Sequence, residues 1–176
     1  MIADNAVIFK WSLYSIAVIF CMAIQGMFLH RIYIWGVIPF LYPVLAAVPA
    51  TYEEPASATV FALGLGIVCD LLLPEAFPCF YTILFPVTGL AASLLSRLFP
   101  AGIFCSYIVS ITAFLLHGVL HCFILWSQGG GGLTWKLGMF LTLREFLITV
   151  PVLAPLVTIL FHAVAVRTHA DEPRNW

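Results

Sequence analysis

Asp70 is the residue in this sequence with the clearest potential for chemistry, because it is an ionisable side chain late in a long apolar stretch. A charged group is costly to bury in lipid, so an acidic residue there often marks a functional site. Asp70 precedes Pro74 by four residues, which puts it about 6 Å from the expected helix end at about 1.5 Å per residue. Two interpretations are open: a functional carboxylate, or a side chain that reaches the headgroups or caps a neighbouring backbone.

Small residues lead up to Asp70 at a regular spacing. Ala58, Ala62, Gly66 and Asp70 follow one another at four-residue intervals, which puts them along one side of a helix. Small residues at this spacing let two helix backbones approach closely, which favours packing where hydrophobic burial cannot drive association. The spacing predicts a helix contact, either within the chain or with a partner protein.

A second group of polar residues falls on one face of a later apolar segment. Ser106, Ser110, Ala113, His117 and His121 lie within about 80° of one another at about 100° per residue. Two histidines raise the possibility of a haem or metal site. Haem ligation by two histidines generally draws them from separate helices, and a metal ion needs further ligands. No spacing fixes a third ligand, so we predict interior hydrogen bonding, no metal and no cofactor.

Motifs of enzyme active sites are missing from the sequence. The glycines 129–132 are not followed by Lys-Ser or Lys-Thr, so they do not form a phosphate loop. The sequence has neither a Gly-x-Ser-x-Gly nucleophile elbow nor an HExxH zinc motif. The five cysteines form no CxxC pair, which predicts neither a disulfide framework nor a metal cluster. We therefore predict no catalytic residues and a protein that is not an enzyme.

All of these candidate residues lie in or beside long apolar segments. Of the 176 residues, 63% are hydrophobic and only 9% are charged, whereas soluble domains carry about 25% charged residues. Such a chain cannot cover a water-facing surface, so the lipid bilayer is its expected surrounding. The formal net charge of −1 gives no reason to expect a nucleic-acid partner. We predict a single integral membrane domain over residues 1–176.

Six stretches approach the roughly 20 apolar residues that a transmembrane helix needs. They are 11–29, 32–50, 56–73, 77–98, 103–126 and a last one from about 141 or 146 to 166. Pro39, Pro43 and Pro49 interrupt the second stretch, which is expected to be kinked, partly irregular, or to dip without crossing. The predicted fold is all-α: a polytopic membrane bundle of about six transmembrane helices.

An even number of spans puts both termini on one side of the membrane. The basic residues then divide into four on that side and three on the other: Lys10, Arg97, Arg167 and Arg174 against Arg31, Lys136 and Arg144. Because basic residues concentrate on the cytoplasmic side, this division favours cytoplasmic termini. The predicted location is the cell membrane, multi-pass, with both termini in the cytoplasm.

Several motifs follow one another between Trp35 and Leu98. They are the prolines of 39–49, the polar turn Tyr52-Glu53-Glu54, then Ala62, Gly66 and Asp70-Leu71-Leu72, and a new apolar segment from Phe77. In this order they resemble the rod-shape-determining MreD family. That family has a proline-containing second helix, a polar turn, and a third helix that ends in small-x-x-x-Gly-x-x-x-Asp-Leu-Leu. The glycines that usually follow that motif are replaced here by residues 74–78.

The resemblance implies a non-enzymatic scaffold in the bacterial machinery for cell shape and peptidoglycan elongation, in the cell inner membrane. Its implied partners are an MreC-like protein and other membrane proteins of the elongation complex. Under this hypothesis Ala58, Ala62, Gly66 and Asp70 are candidates for contacts within the bundle or with such a partner.

A second hypothesis is the substrate-binding membrane subunit of an energy-coupling vitamin transporter, which also has about six helices and a similar size. Those subunits typically carry an Ala-x-x-x-Ala contact motif in the first helix, where this chain has Ala17, Cys21 and Gln25 at that spacing. His117, His121 and Trp126 could contribute to a cleft for a small molecule.

Overall fold

A computed structural model describes residues 2–73, 77–100, 102–127 and 132–168. Within these ranges the predicted all-α fold is confirmed. The helices in chain order are α1 (Ile2–Met27), α2 (Tyr42–Ala47), α3 (Pro55–Leu72), α4 (Phe80–Ser96), α5 (Ile103–Ser127) and α6 (Gly132–Thr168). Short 3-10 turns cover Leu29–Arg31 and Pro49–Thr51.

The exposed surface of the bundle is suited to lipid. Four helical stretches are long and apolar enough to cross a membrane: Val7–Arg31, Pro55–Leu72, Ile103–Ile124 and Trp135–Thr168. Two further apolar helical stretches, Tyr42–Thr51 and Phe80–Ser96, are shorter. Large apolar side chains face outwards on the long helices, such as Val60 at 69% and Leu71 at 79% exposure. A soluble monomer rarely exposes such extended apolar patches, so the chain is a multi-pass α-helical membrane protein.

The second apolar segment is not one continuous helix. It begins with a tight turn at Ile34–Val37, where Trp35 and Gly36 have φ of 52° and 80°. Two consecutive positive φ values define a type I′ turn. Helix α2 and the 3-10 turn follow, each with a proline at its start. Irregular backbone is tolerated at membrane depth where protein surrounds it, and residues 41–50 are all buried.

Hydrogen bonds at its two ends show that this segment passes back along α1. Gln25, near the end of α1, bonds to Pro39 and Leu41. Glu53 instead bonds to Lys10, near the start of α1. Lys10 and Gln25 are 15 positions apart, or about 22 Å at about 1.5 Å per residue. The chain therefore travels most of the length of the bundle between residues 39 and 53, rather than dipping into it.

We call the end of the bundle marked by Tyr52 the Tyr52 end, and the opposite end the Asp70 end. Side-chain contacts show that the later helices alternate in direction between these two ends. Ser93, late in α4, bonds to the Glu53 carbonyl, and Ser106, early in α5, bonds to Tyr52. His162, late in α6, also lies beside Tyr52. The start of α1 and the end of α6 therefore meet at the Tyr52 end.

The last helix is longer than the sequence predicted. Helix α6 begins at Gly132, not near residue 141 or 146, and has 37 residues. At about 1.5 Å per residue it is about 55 Å long, more than the about 40–45 Å of a bilayer with its headgroups. The predicted start was wrong because it was placed after polar residues. The part of a helix that lies outside the hydrocarbon core can carry polar residues. The glycine loop predicted at 129–132 lies outside the described residues except for Gly132, which starts α6.

Helix α2 lies at the centre of the bundle. It contacts α1, α3, α4, α5 and α6, and all six of its residues are buried. Around it, α3 packs most extensively on α4 and α5 on α6, while α1 packs mainly on α6. This arrangement packs α4 against α3, which carries the predicted small-residue face, and packs α4 and α6 against α5, which carries the predicted polar face.

Candidate functional site

Asp70 caps the N-terminus of α4. Its Oδ1 accepts the backbone N–H of Tyr81 at 2.9 Å, and its Oδ2 accepts the N–H of Thr82 at 2.8 Å and the Thr82 hydroxyl at 2.5 Å. The first residue flanking α4, Cys79, provides no side-chain cap. The N–H groups of a first helical turn lack partners within the helix and attract negative charge. Of the two interpretations of Asp70, the geometry is that of a cap on a neighbouring backbone.

The small-residue stripe of α3 faces α4. Ala58, Ala62 and Gly66 are buried. A β-carbon added at Gly66 would lie 2.5 Å from the carbonyl oxygen of Tyr81, and one added at Gly89 would lie 2.8 Å from Cβ of Ala62. Both distances are too short for real contacts, so the two backbones approach closely only because glycine stands at these positions. The stripe, continued by Asp70, forms the α3–α4 join.

His117 and His121 lie in an aromatic cluster at the Asp70 end. Their rings stack with centroids 6.0 Å apart and an interplanar angle of 7°, and Phe80 lies 5.8 Å from each. Phe40 and Tyr81 also stack on His117, at 5.2 Å and 6.1 Å. Among the described residues Nδ1 of His117 has no hydrogen-bond partner. At Nδ1 the ring thus lacks the hydrogen bond that the sequence predicted, and its neighbours on several sides are aromatic rings.

The two serines predicted on the same face of α5 have different surroundings. Ser106 Oγ donates to the Tyr52 hydroxyl at 2.8 Å and lies 3.0 Å from Thr51 Oγ1. Ser110 Oγ donates to the backbone carbonyl of Ser106 at 2.7 Å, within its own helix. The structure thus brings Ser106 into a polar cluster at the Tyr52 end, separate from the aromatic cluster around His117.

Lys10 and Glu53 form a largely buried ion pair in that polar cluster. Lys10 Nζ lies 2.9 Å from Glu53 Oε2, and their side chains are 19% and 5% exposed. The Glu53 carbonyl accepts the Ser93 hydroxyl at 3.0 Å, and the Tyr52 hydroxyl lies 3.4 Å from Nδ1 of His162. Thr51, Tyr52 and Glu53 therefore contact α1, α4, α5 and α6.

The sequence did not predict this cluster, because Tyr52-Glu53-Glu54 was interpreted only as a polar turn between two apolar segments. One signal was available. Lys10 is the one basic residue between positions 2 and 27. A cation beside lipid is usually paired with an acidic group, so Lys10 indicated an ion pair with one of the acidic residues.

Two further buried side chains satisfy the irregular backbone before α2. Gln25 Nε2 donates to the Pro39 carbonyl at 2.7 Å, and its Oε1 accepts the Leu41 N–H at 3.1 Å. Thr149 Oγ1 accepts the Phe40 N–H at 3.0 Å. Buried backbone groups almost always need such partners, so α1 and α6 jointly hold this stretch in place.

The described residues offer few ligands for a metal ion. No three or more of their His, Cys, Asp and Glu side chains form a group that could hold one. The five cysteines are free, and four of them are buried.

No protein-family model matches this chain, and no curated protein or solved structure matches it. The chain is a multi-pass α-helical membrane protein, and the polar side chains in its interior hold its helices together.

Proposed function

We propose that this chain is an MreD-like, non-enzymatic scaffold of the bacterial cell-shape and peptidoglycan elongation machinery. The observation that carries the proposal is the α3–α4 join. Ala62, Gly66 and Asp70 carry the resemblance to that family, and they are the residues that bring α3 and α4 together. Close approach of the two backbones needs small residues, and the N-terminus of α4 needs a carboxylate as its cap. These two needs explain why members of a family would share this pattern.

The use of polar groups in the interior supports a scaffold as well. Asp70 caps a helix, Lys10 pairs with Glu53, and Gln25 bonds to the irregular backbone before α2. These groups fix the positions of helices relative to one another. The lipid-facing surface is then the surface that partner helices contact, and the partners are an MreC-like protein and other membrane proteins of the elongation complex.

Depletion of the protein in the organism that makes it tests the proposal, which requires that organism to be rod-shaped. Loss of the chain is expected to turn rods into round cells, and wild-type expression is expected to restore the rods. The tagged protein is expected to co-purify with an MreC-like protein. Rods of normal width after complete depletion would contradict the proposal. Co-purification with a pair of ATPases, together with a loss of vitamin uptake, would support the transporter hypothesis instead.

A further inference from the structure

The helices around α2 do not pack equally well on their neighbours. Among the described residues, α3 packs closely on α4, α4 on α5, α5 on α6, and α1 on α6. Helices α1 and α3 are also side by side, since Trp11 and Phe61 are in ring contact, but their backbones make very few close approaches. We call this boundary the α1–α3 seam. Of the side-by-side helix pairs in the described ring, this pair has the fewest close backbone approaches.

A groove runs along the α1–α3 seam. Its volume is about 520 Å³, and Trp11, Ala56, Ser57, Val60 and Phe61 line it. Val60 is 69% exposed, so the groove opens to the lipid side of the bundle. The rings of Trp11 and Phe61, with centroids 5.6 Å apart, join its two walls. Tyr14 of α1 also contacts the Phe61 ring, with centroids 6.3 Å apart.

The Lys10–Glu53 ion pair spans the seam at the Tyr52 end. Lys10 is next to Trp11 on α1, and Glu53 stands two residues before Pro55, the first residue of α3. At the Asp70 end α1 is held through Gln25, which bonds to the backbone before α2 and not to α3. The Lys10–Glu53 ion pair therefore ties the start of α1 to the start of α3. Removing one member of a buried pair leaves an uncompensated charge, so the tie is sensitive to a single substitution.

We propose that the α1–α3 seam is a lateral gate of the bundle and that the Lys10–Glu53 ion pair holds it closed. When the pair is broken, the start of α1 moves away from α3 and keeps its contact with α6, where Tyr14 stacks on Phe161 at 6.0 Å. The bonds of Gln25 act as the pivot. Opening exposes Tyr52 and Glu53 to the bilayer. The gate does not depend on the function proposed above.

Distances between spin labels test the gate in the full chain, reconstituted in lipid nanodiscs. Labels at Phe9→Cys and Val60→Cys span the seam, and labels at Ile16→Cys and Ile159→Cys span the α1–α6 contact. All four side chains are at least 55% exposed, so labelling should not disturb the core. The five native cysteines are replaced by alanine or serine. One narrow distance is expected for each pair when Lys10 and Glu53 are intact.

Lys10→Met and Glu53→Gln are each expected to add a longer distance across the seam and to leave the α1–α6 distance unchanged. Exchanging the two charges, with Lys10→Glu and Glu53→Lys together, is expected to restore the single seam distance. An unchanged seam distance in the folded single variants would overturn the proposal. Equal broadening of both label pairs would also overturn it, because the ion pair would then stabilise the fold in general.

Trp11→Ala provides a test that leaves the ion pair in place. It removes the ring contact with Phe61 and widens the groove without burying an unpaired charge, so this variant should fold even if the charge variants do not. We expect a longer seam distance that is less populated than in Lys10→Met. A seam distance identical to that of the parent chain would overturn the proposal.

Discussion

Gly66 of α3 lies against the backbone of Tyr81 in α4, so close that a β-carbon at Gly66 would come within 2.5 Å of the Tyr81 carbonyl oxygen. The same turn of α4 is held by Asp70, one helical turn further along α3, which accepts the N–H of Tyr81. The backbone of α4 cannot move away from Gly66 without loss of this cap. Close approach and capping therefore depend on each other at the α3–α4 join.

Gly66→Leu is expected to lower the free energy of unfolding by about 1–3 kcal/mol, the usual cost of overpacking a filled contact. Gly64→Leu is the matched control, because Gly64 is on the same helix but faces open space with nothing within 4 Å of an added Cβ. We expect a change of no more than about 0.5 kcal/mol there. Thermal unfolding in detergent and the protein level in membranes measure both. Equal losses in the two variants would show that leucine harms α3 irrespective of the join.

Asp70→Ala is expected to cost about 0.5–2 kcal/mol, the usual range for loss of a helix N-cap. Asp70→Asn should cost less, because one side-chain oxygen remains to accept the N–H groups of Tyr81 and Thr82. Thr82→Val removes only the hydroxyl bond, and membrane hydrogen bonds average about 0.6 kcal/mol. The same unfolding assay ranks the three variants. If Asp70→Asn were as harmful as Asp70→Ala, the negative charge and not the acceptor geometry would be the stabilising feature.

Gln25→Leu is expected to destabilise the protein by about 1–3 kcal/mol, because it leaves the buried Pro39 carbonyl and Leu41 N–H without their partner. Ser12→Leu is a suitable control on α1, since Ser12 is exposed and bonds only to the carbonyl of Ile8 in its own helix. Limited proteolysis, followed by identification of the cleavage site, measures the local effect. New cleavage is expected between residues 32 and 41 in Gln25→Leu alone.

Reporter fusions test the six-span topology. Fusions after Glu54, Gly130 and Trp176 are expected to report the cytoplasm, the outside and the cytoplasm, respectively. Gly130 and Trp176 on the same side would contradict six spans.

Cys79 gives an independent measurement without a fusion. It is the exposed one of the five cysteines, and it precedes α4 at the Asp70 end. A membrane-impermeant maleimide is expected to label it from outside the cytoplasmic membrane. Cys79→Ser should abolish this labelling. Labelling from the cytoplasmic side only would invert the orientation predicted from the basic residues.

The purified protein is expected to be colourless and free of stoichiometric metal. His117 and His121 stack on each other and on Phe80, and the described residues provide no group of three metal-binding side chains. Absorption spectra and elemental analysis measure this. A Soret band, or bound metal that is lost in His117→Ala or His121→Ala, would contradict the prediction.

The helical class and most of the segment positions could be predicted from the amino-acid sequence. Lipid offers no hydrogen bonds to the backbone, so apolar runs of sufficient length must be helical. The fifth segment, predicted at 103–126, is Ile103–Ser127 in the structure. The spacing of Ala58, Ala62 and Gly66 also fixed their common face, because the period of a helix is a local property.

Which helix surfaces contact one another could not be predicted from local sequence patterns. The periodicity of α3 could not show that Asp70 caps α4, because the cap depends on where the turn after α3 places Tyr81 and Thr82. Likewise, Lys10 and Glu53 are 43 positions apart and Tyr52 and His162 are 110 apart, so no local pattern links them. The irregular second segment is the clearest case. Its prolines predicted a break, but its backbone is stable in the interior only because Gln25 and Thr149, from two other helices, supply the hydrogen bonds that the broken helix lacks.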